Sequence, residues 1–162
     1  MRRVLVVGCG NPDAADDAVG ISAVREARPA LEAIPGVRVI EAAIGPNLTD
    51  VLAEGDATVL VDAVRAPGEG REPGSIVRLE AGPEGLPAEA GASLSSHGFG
   101  IAEAVGLAAA LGHPGPVVFL GIEVGDVTMG RSLSPAVGHA LPELIRLVLA
   151  EVARLTSPAR DP

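Results

Sequence analysis

The sequence of 162 residues contains almost no aromatic side chains. Two Phe are present, Trp and Tyr are absent, and aromatic residues make up 1% of the chain. Hydrophobic residues still amount to 48%, which is enough for a folded protein, so the core must consist of Val, Leu, Ile and Ala. A core of such aliphatic side chains is typical of a parallel sheet that helices cover on both faces.

Positive charge is scarce as well. Lys is absent, 12 Arg stand against 21 acidic residues, and the net charge is −9 with no basic run. A nucleic-acid-binding surface needs Lys or Arg to neutralise phosphates. The sequence therefore predicts no nucleic-acid partner.

Cysteine and long apolar runs are also nearly missing. Cys9 is the single cysteine, which excludes an internal disulfide and suits a reducing compartment. The first apolar run breaks at Gly8, and no later run approaches the roughly 18–20 apolar residues of a membrane span. We therefore expect a cytoplasmic protein with no membrane partner.

Two common phosphate-binding motifs are not present. The P-loop sequence GK[ST] does not occur, and the GxGxxG pattern that begins with Gly8 and Gly10 has Asp13 where its third glycine would fall. The carboxylates of Asp16 and Asp17, just before the next helix, would repel a pyrophosphate. The loop after the first strand is therefore not predicted to bind a phosphate.

Five short segments have the pattern of β-strands. Four apolar runs predict buried strands, over residues 3–8, 37–43, 57–64 and 117–124. A fifth segment, 74–81, alternates polar and apolar residues, so we expect it at an edge of the sheet or antiparallel to its neighbour.

Apolar residues at helical spacing lie between these strands. Residues 21–31 form one such stripe, in which Pro29 should kink or end the helix, and residues 101–111 form another. Residues 45–56 allow a short helix. The last helix is the most regular, with Ser134 as its predicted N-terminal cap.

The alternation of strands and helices indicates an α/β fold. We expect a single-domain, three-layer αβα sandwich with a twisted, mostly parallel five-stranded sheet and one antiparallel edge strand. Residues 1–156 are predicted to form this domain, and residues 157–162 a flexible C-terminal tail.

Acidic residues and one histidine follow three separate strands of this predicted sheet. The first loop carries Asp13, Asp16 and Asp17, the apolar run 57–64 contains Asp62, and His97 precedes the helix that starts near residue 101. In open α/β sheets, the loops after the strands meet at one edge and form the functional site. Two carboxylates and an imidazole suit a divalent transition metal or general acid–base chemistry.

Each of these residues also has an ordinary structural interpretation. Asp16 or Asp17 could cap the first helix, Asp62 could be a hydrogen-bonded structural residue, and His97 could be a solvated helix-start residue. Cys9 could be an inert buried thiol or, with His97, the nucleophile of a cysteine hydrolase. His113 and His139 fit structural roles better than catalytic ones.

Four segments, in order along nearly the whole chain, resemble the hydrogenase maturation endopeptidases. They are GCGNPDAADDAVG at residues 8–20, VLVDAV with Asp62, SSHGFGIAEAV with His97, and FLGIEVGDVTMGRSLSPAV. Each segment is a weak signal alone, but the four together at these separations are specific. Two departures from the family pattern are Ala18, where many members have glycine, and EAAIGPN at residues 41–47, where many have a DGGT-like stretch.

The resemblance implies a peptidase that removes the C-terminal extension of a [NiFe]-hydrogenase large-subunit precursor after nickel insertion. It also implies that Asp17, Asp62 and His97 are the catalytic and metal-contacting residues, with Asp16 as the alternative to Asp17. The nickel would be supplied by the precursor and serve as the recognition signal, so the enzyme would not hold it permanently. The departure at residues 41–47 leaves these residues in place but affects the expected choice of partner. A non-enzymatic module that binds a small ligand or a partner through its acidic rim is a further alternative.

Overall fold

The computed structural model of the protein describes residues 1–65, 70–87, 100–113 and 115–157. These residues form a five-stranded sheet and four α-helices. The strands are β1 (Val4–Cys9), β2 (Val37–Ala42), β3 (Ala57–Val64), β4 (Ile76–Glu80) and β5 (Val117–Glu123). The helices are α1 (Val19–Glu32), α2 (Asn47–Ala53), α3 (Ile101–Ala110) and α4 (Pro135–Thr156).

The sheet has the strand order β2-β1-β3-β5-β4. β1 pairs in parallel with β2 and β3, β3 pairs in parallel with β5, and β4 runs antiparallel to β5 at one edge. The predicted mostly parallel sheet is therefore confirmed, and the alternating segment 74–81 is its antiparallel edge strand.

Helices cover both faces of the sheet. Side chains of α1 and α4 pack with Val59 and Val61 of β3 in one buried cluster. Side chains of α2 and α3 pack with Leu60 and Val64 in a second cluster on the opposite face. Since successive residues of a strand point to opposite faces, this division follows from the strand pleat. The predicted three-layer αβα sandwich is confirmed.

Two details of the helices differ from the sequence-based predictions. Of the kink or end predicted at Pro29, the end is wrong: α1 continues to Glu32, because Leu31 is fully buried in the core and its packing holds the last turn in place. Leu111 lies just beyond α3 and is 62% exposed, so it does not continue the apolar stripe. The helix stops there because Gly112 adopts a positive φ of 84°, which is typical of a helix C-terminus.

The last helix ends at Thr156, the residue at which the predicted domain ends. Residues 158–162 of the predicted tail lie outside the described residues. In the part of the chain that the structure describes, none of the helices has the length and apolar character needed to cross a membrane.

Candidate active site at the carboxyl edge of the sheet

The candidate site lies where the parallel strands β1 and β3 end. The two strands are paired up to Gly8 and Val61, so Asp62 comes one residue beyond their last pair, beside the start of the first loop. The first loop, residues 10–18, connects β1 to α1. Asp17 of this loop and Asp62 therefore both lie at the carboxyl edge of the sheet.

Two glycines bring the first loop against the sheet. Gly10 has a φ of 125°, a conformation that L side chains rarely adopt, and a Cβ there would overlap the carbonyl oxygen of Asp17. Gly20, in the first turn of α1, leaves no room for a Cβ beside the carbonyl oxygen of Val61. These motif glycines thus allow close backbone contacts around the acidic residues.

Asp62 is a buried carboxylate in an unfavourable environment. Its side chain is 5% exposed, and its Oδ1 has no hydrogen-bond partner among the described residues. Burial and, to a smaller extent, the negative charge of Asp17 raise the pKa of Asp62 to about 8, although a hydrogen bond from the backbone N–H of Ala63 lowers it. Asp62 therefore holds a proton at neutral pH unless a cation replaces it.

Asp17 is the second acid at this edge. It is half-buried, and its Oδ2 accepts a hydrogen bond of 2.9 Å from the backbone N–H of Asn11. Gly10 lies between the two acids, because a Cβ on it would also come within 3.6 Å of Asp62 Oδ1. The structure therefore brings together Asp17 and Asp62, two of the three predicted site residues.

Asp16 has a different role from its neighbour. It is fully buried, and its two oxygens accept hydrogen bonds from the backbone N–H groups of Gly125, Asp126 and Ser134 and from the Ser134 hydroxyl, at 2.6–3.0 Å. Burial raises the pKa of Asp16, but these hydrogen bonds outweigh it and hold the pKa below its usual value. Asp16 therefore anchors the loop between β5 and α4, residues 124–134.

This anchor excludes three interpretations that the sequence allowed. Asp16 is not the alternative to Asp17 as a metal-contacting acid, because both of its oxygens are bound to the β5–α4 loop. Neither acid caps α1, whose N-terminus has no side-chain capping bond. Ser134 occupies the predicted cap position of α4, but its hydroxyl donates to Asp16 instead of capping the helix. Sequence reasoning missed this pair because the two residues are 118 positions apart.

An open cleft of about 460 Å³ lies beside Asp17. Its walls include the apolar side chains of Ala14, Val64 and Val127, and its polar lining residues include Arg65. Val127 belongs to the β5–α4 loop that Asp16 anchors. Asp17 thus lines the cleft directly, and the residues that follow Asp62 in β3, Ala63 and Val64, form part of its wall.

The third predicted site residue, His97, lies outside the described residues. Its position relative to Asp17 and Asp62 stays a prediction. Among the residues that are described, no three His, Cys, Asp or Glu side chains are grouped so that they could hold a metal ion. His139 is an exposed residue of α4, and His113 lines a small cavity with Thr58 at the opposite edge of the sheet.

Cys9, at the end of β1, does not have the environment of a nucleophile. Its side chain is fully buried, and burial, together with the charge of Asp62, raises the pKa of its thiol well above the usual value. A reactive cysteine needs an accessible thiolate. The geometry therefore argues against the cysteine hydrolase alternative.

Comparison with known proteins gives one consistent result. Residues 5–151 match the model of the family described as HycI, hydrogenase maturation protease. No protein of curated function matches the chain by sequence. Among solved structures, the chain is similar to the hydrogenase maturating endopeptidase HybD from E. coli, with 23% identity, coverage of 95% of this chain and 94% of that chain, and a TM-score of 0.76.

Two archaeal structures are similar as well. The [NiFe] hydrogenase maturation protease HycI from Thermococcus kodakarensis is 24% identical, with coverage of 94% of this chain and 93% of that one and a TM-score of 0.70. The hydrogenase 2 maturation peptidase from a Thaumarchaeota archaeon is 25% identical, with coverage of 93% and 98% and a TM-score of 0.67.

Proposed function

This chain belongs to the hydrogenase maturation protease family and is therefore a peptidase, and we propose that its substrate is the precursor of a [NiFe]-hydrogenase large subunit. Cleavage removes a C-terminal extension from the precursor after nickel has been inserted. The free cysteine is consistent with the cytoplasm as the place of this reaction.

One observation carries this proposal. The carboxylate of Asp62 is buried beside the negatively charged Asp17, and its Oδ1 has no hydrogen-bond partner in the described part of the chain. Buried polar atoms are normally paired, and a buried carboxylate without a partner calls for a proton or a cation. A cation that arrives with the substrate would supply the missing partner.

Nickel of the precursor fits the donor set of Asp17, Asp62 and His97. Carboxylate and imidazole groups together bind divalent transition metals. The position of α3 supports the inclusion of His97. Ile101 begins α3 and is fully buried in the same cluster as Leu60 and Val64, which flank Asp62 in β3. His97 is four positions before Ile101, a distance of at most about 14 Å along the chain.

The protonation of Asp62 gives a physical basis for selecting the loaded precursor. With its pKa at about 8, Asp62 is neutral at pH 7 in the free enzyme. A divalent cation close to the two acids favours their charged forms and releases that proton. A precursor without nickel offers no such compensation, so binding of the empty precursor leaves the acid pair as it is in the free enzyme.

Hydrolysis of the peptide bond requires a water molecule beside the scissile carbonyl group. Two routes use this donor set: nickel of the substrate lowers the pKa of the water, or one of the two carboxylates removes its proton as a general base. In the first route Asp17 and Asp62 both hold the substrate metal, and in the second one of them accepts the proton while nickel serves only as the recognition signal. In both routes the cleft beside Asp17 takes up the adjoining polypeptide.

The function is tested by incubating the purified protein with a large-subunit precursor, either loaded with nickel or free of it. We expect intact-mass spectrometry to show the loss of a C-terminal peptide from the loaded precursor alone. Unchanged mass of the loaded precursor would contradict the proposed substrate. Equal cleavage of both forms would contradict the role of nickel as the recognition signal.

The site residues are tested by substitution. We expect Asp62→Asn and His97→Ala each to lower the processing rate about 100-fold or more, because each removes a donor that holds the substrate metal. His139→Ala is the matched control, since His139 is an exposed residue of α4. Circular dichroism should report the same fold for all variants. Full processing by Asp62→Asn or His97→Ala would refute the assignment of that residue.

A further inference from the structure

Within the proposed function, on which this inference rests, we propose that Arg65 is a specificity-determining residue that binds a carboxylate of the substrate polypeptide in the cleft beside Asp17. Arg65 directly follows β3, three residues after Asp62. It lines the same cleft as Asp17, and its cationic side chain is not a metal donor.

Arg65 is exposed. It forms no hydrogen bond or ion pair with any residue that the structure describes. Many other arginines are engaged differently: their guanidinium groups lie within 3.3 Å of a carboxylate oxygen. They are Arg3, Arg25, Arg28, Arg38, Arg78, Arg146 and Arg154. In a chain with 21 acidic residues and 12 basic ones, a cleft cation that pairs with none of the described carboxylates is available to a ligand.

The cleft is electrically asymmetric. Asp17 contributes a negative charge, Arg65 a positive one, and the apolar side chains of Val64, Val124 and Val127 form part of the wall. A bound polypeptide would be oriented by this asymmetry, with its metal centre toward Asp17 and a carboxylate toward Arg65. The guanidinium group suits this task because its planar N–H groups match the two oxygens of a carboxylate.

The net charge of the protein makes this contact more important. At −9, the molecule as a whole repels an acidic peptide, so a substrate with a carboxylate near the cleavage site needs a local cation. The carboxylate has two possible sources in the precursor: an acidic side chain of the extension, or the α-carboxylate at the end of the chain.

The experiment compares Arg65→Ala and Arg65→Lys with the wild-type protein, using the nickel-loaded precursor as substrate. We expect Arg65→Ala to raise KM about tenfold with kcat changed less than about twofold, because the contact contributes to binding and not to the reacting atoms. The KM of Arg65→Lys should lie between those of the wild type and Arg65→Ala, since lysine keeps the positive charge and loses the paired N–H groups of the guanidinium. Arg38→Ala is the control, because it removes the same charge from β2, where Arg38 pairs with Glu54.

Two changes in the precursor identify the source of the carboxylate. Replacing the acidic side chains of the extension by their amides should raise KM of the wild type but not of Arg65→Ala if a side chain binds Arg65. If the α-carboxylate binds Arg65 instead, lengthening the extension by several Gly and Ser residues should raise KM of the wild type but not of Arg65→Ala. If neither change has this effect, the partner of Arg65 is not a carboxylate and the inference is wrong.

A direct binding measurement separates this inference from the proposed function. If the wild-type protein binds the loaded precursor without cleaving it, and Arg65→Ala binds about tenfold more weakly, the role of Arg65 stands while the peptidase assignment to this substrate fails. If the wild type cleaves the precursor and Arg65→Ala has the same KM and affinity as the wild type, the inference alone is refuted. If the wild type neither binds nor cleaves the precursor, both are refuted.

Discussion

Gly10 determines how closely the two acids of the site can approach each other. It has a φ of 125°, and it lies so close to the carbonyl oxygen of Asp17 that a Cβ would overlap it, so both ends of the first loop come together. The same turn places the N–H of Asn11 at 2.9 Å from Asp17 Oδ2. The orientation of Asp17 therefore depends on a position that carries no functional group.

We expect Gly10→Ala to lower the free energy of unfolding by about 2 kcal/mol or more, because the added methyl group meets backbone and the conformation is strained for any L residue. Processing should fall as well, since Asp17 must move. Chemical denaturation and the precursor assay measure the two effects.

Gly138→Ala is the matched control at the residue scale. Gly138 lies inside α4, and a Cβ there has no neighbour within 4 Å. Alanine favours the helix over glycine, so this variant should gain about 0.5–1 kcal/mol in stability with unchanged processing. Equal stability of the two alanine variants would refute the close-contact role of Gly10.

The sequence predicted the acidic site but could not by itself distinguish Asp16 from Asp17. Adjacent residues point in directions that depend on the local backbone, and here that backbone is a short 3-10 helix, Ala15–Ala18, with a positive φ of 44° at Ala15. No propensity rule predicts a left-handed alanine. The family resemblance selected Asp17, and the hydrogen bonds of Asp16 to the β5–α4 loop explain why Asp17, and not Asp16, faces the cleft.

At the scale of secondary-structure elements, Asp16 links the first loop to the β5–α4 loop. The N–H of Asp16 donates to the carbonyl of Asp126, and the N–H of Gly130 donates to the carbonyl of Asp13, so backbone bonds reinforce the side-chain contacts. The β5–α4 loop carries Val127 of the cleft wall and is therefore held in register with Asp17.

We expect Asp16→Asn to destabilise the protein by about 2–4 kcal/mol. The carboxylate oxygens of Asp16 accept hydrogen bonds from backbone N–H groups, and the NH2 group of an asparagine would face one or more of these donors without being able to accept. Asp13→Asn is the control, three residues away and exposed, and should change stability by less than about 0.5 kcal/mol. Thermal unfolding at one pH measures both.

The processing assay tests whether Asp16 acts as a positioning residue. Asp16→Asn should raise KM for the loaded precursor, because the loop with Val127 is displaced, while Asp13→Asn should not. Wild-type KM in Asp16→Asn would show that the β5–α4 loop does not contribute to substrate binding.

The elements themselves were largely predictable, and the contacts between them were not. Strand bounds agree within two residues, because aliphatic runs flanked by glycine and charged residues leave few alternatives. Ser134 is an example of a contact that could not be predicted. Its cap position at α4 was predicted correctly, but the local pattern contained no sign that its hydroxyl would donate to a buried carboxylate 118 residues away. Long-range hydrogen bonds depend on the tertiary arrangement of the loops.

At the scale of the whole molecule, the buried acid makes stability depend on pH. Unfolded Asp62 has a pKa near 4, and burial raises the folded pKa to about 8. The folded state therefore binds one more proton than the unfolded state between these values. The stability that this proton contributes is fully present below about pH 4 and is lost as the pH rises through about 8.

We expect the free energy of unfolding of the wild type to fall relative to that of Asp62→Asn by about 1.4 kcal/mol per pH unit between pH 5 and pH 7. The asparagine side chain stays neutral, so the difference between the two curves isolates this residue from the other titrating groups. Urea denaturation at several pH values measures this difference.

Asp17→Asn is a second test of the same effect. Because the charge of Asp17 raises the pKa of Asp62, its removal should move the upper end of the pH range over which stability falls to lower pH. Curves of wild type and Asp62→Asn that run parallel from pH 5 to 8 would mean that Asp62 is ionised in the free protein, and the exchange of a proton for a substrate cation would lose its basis.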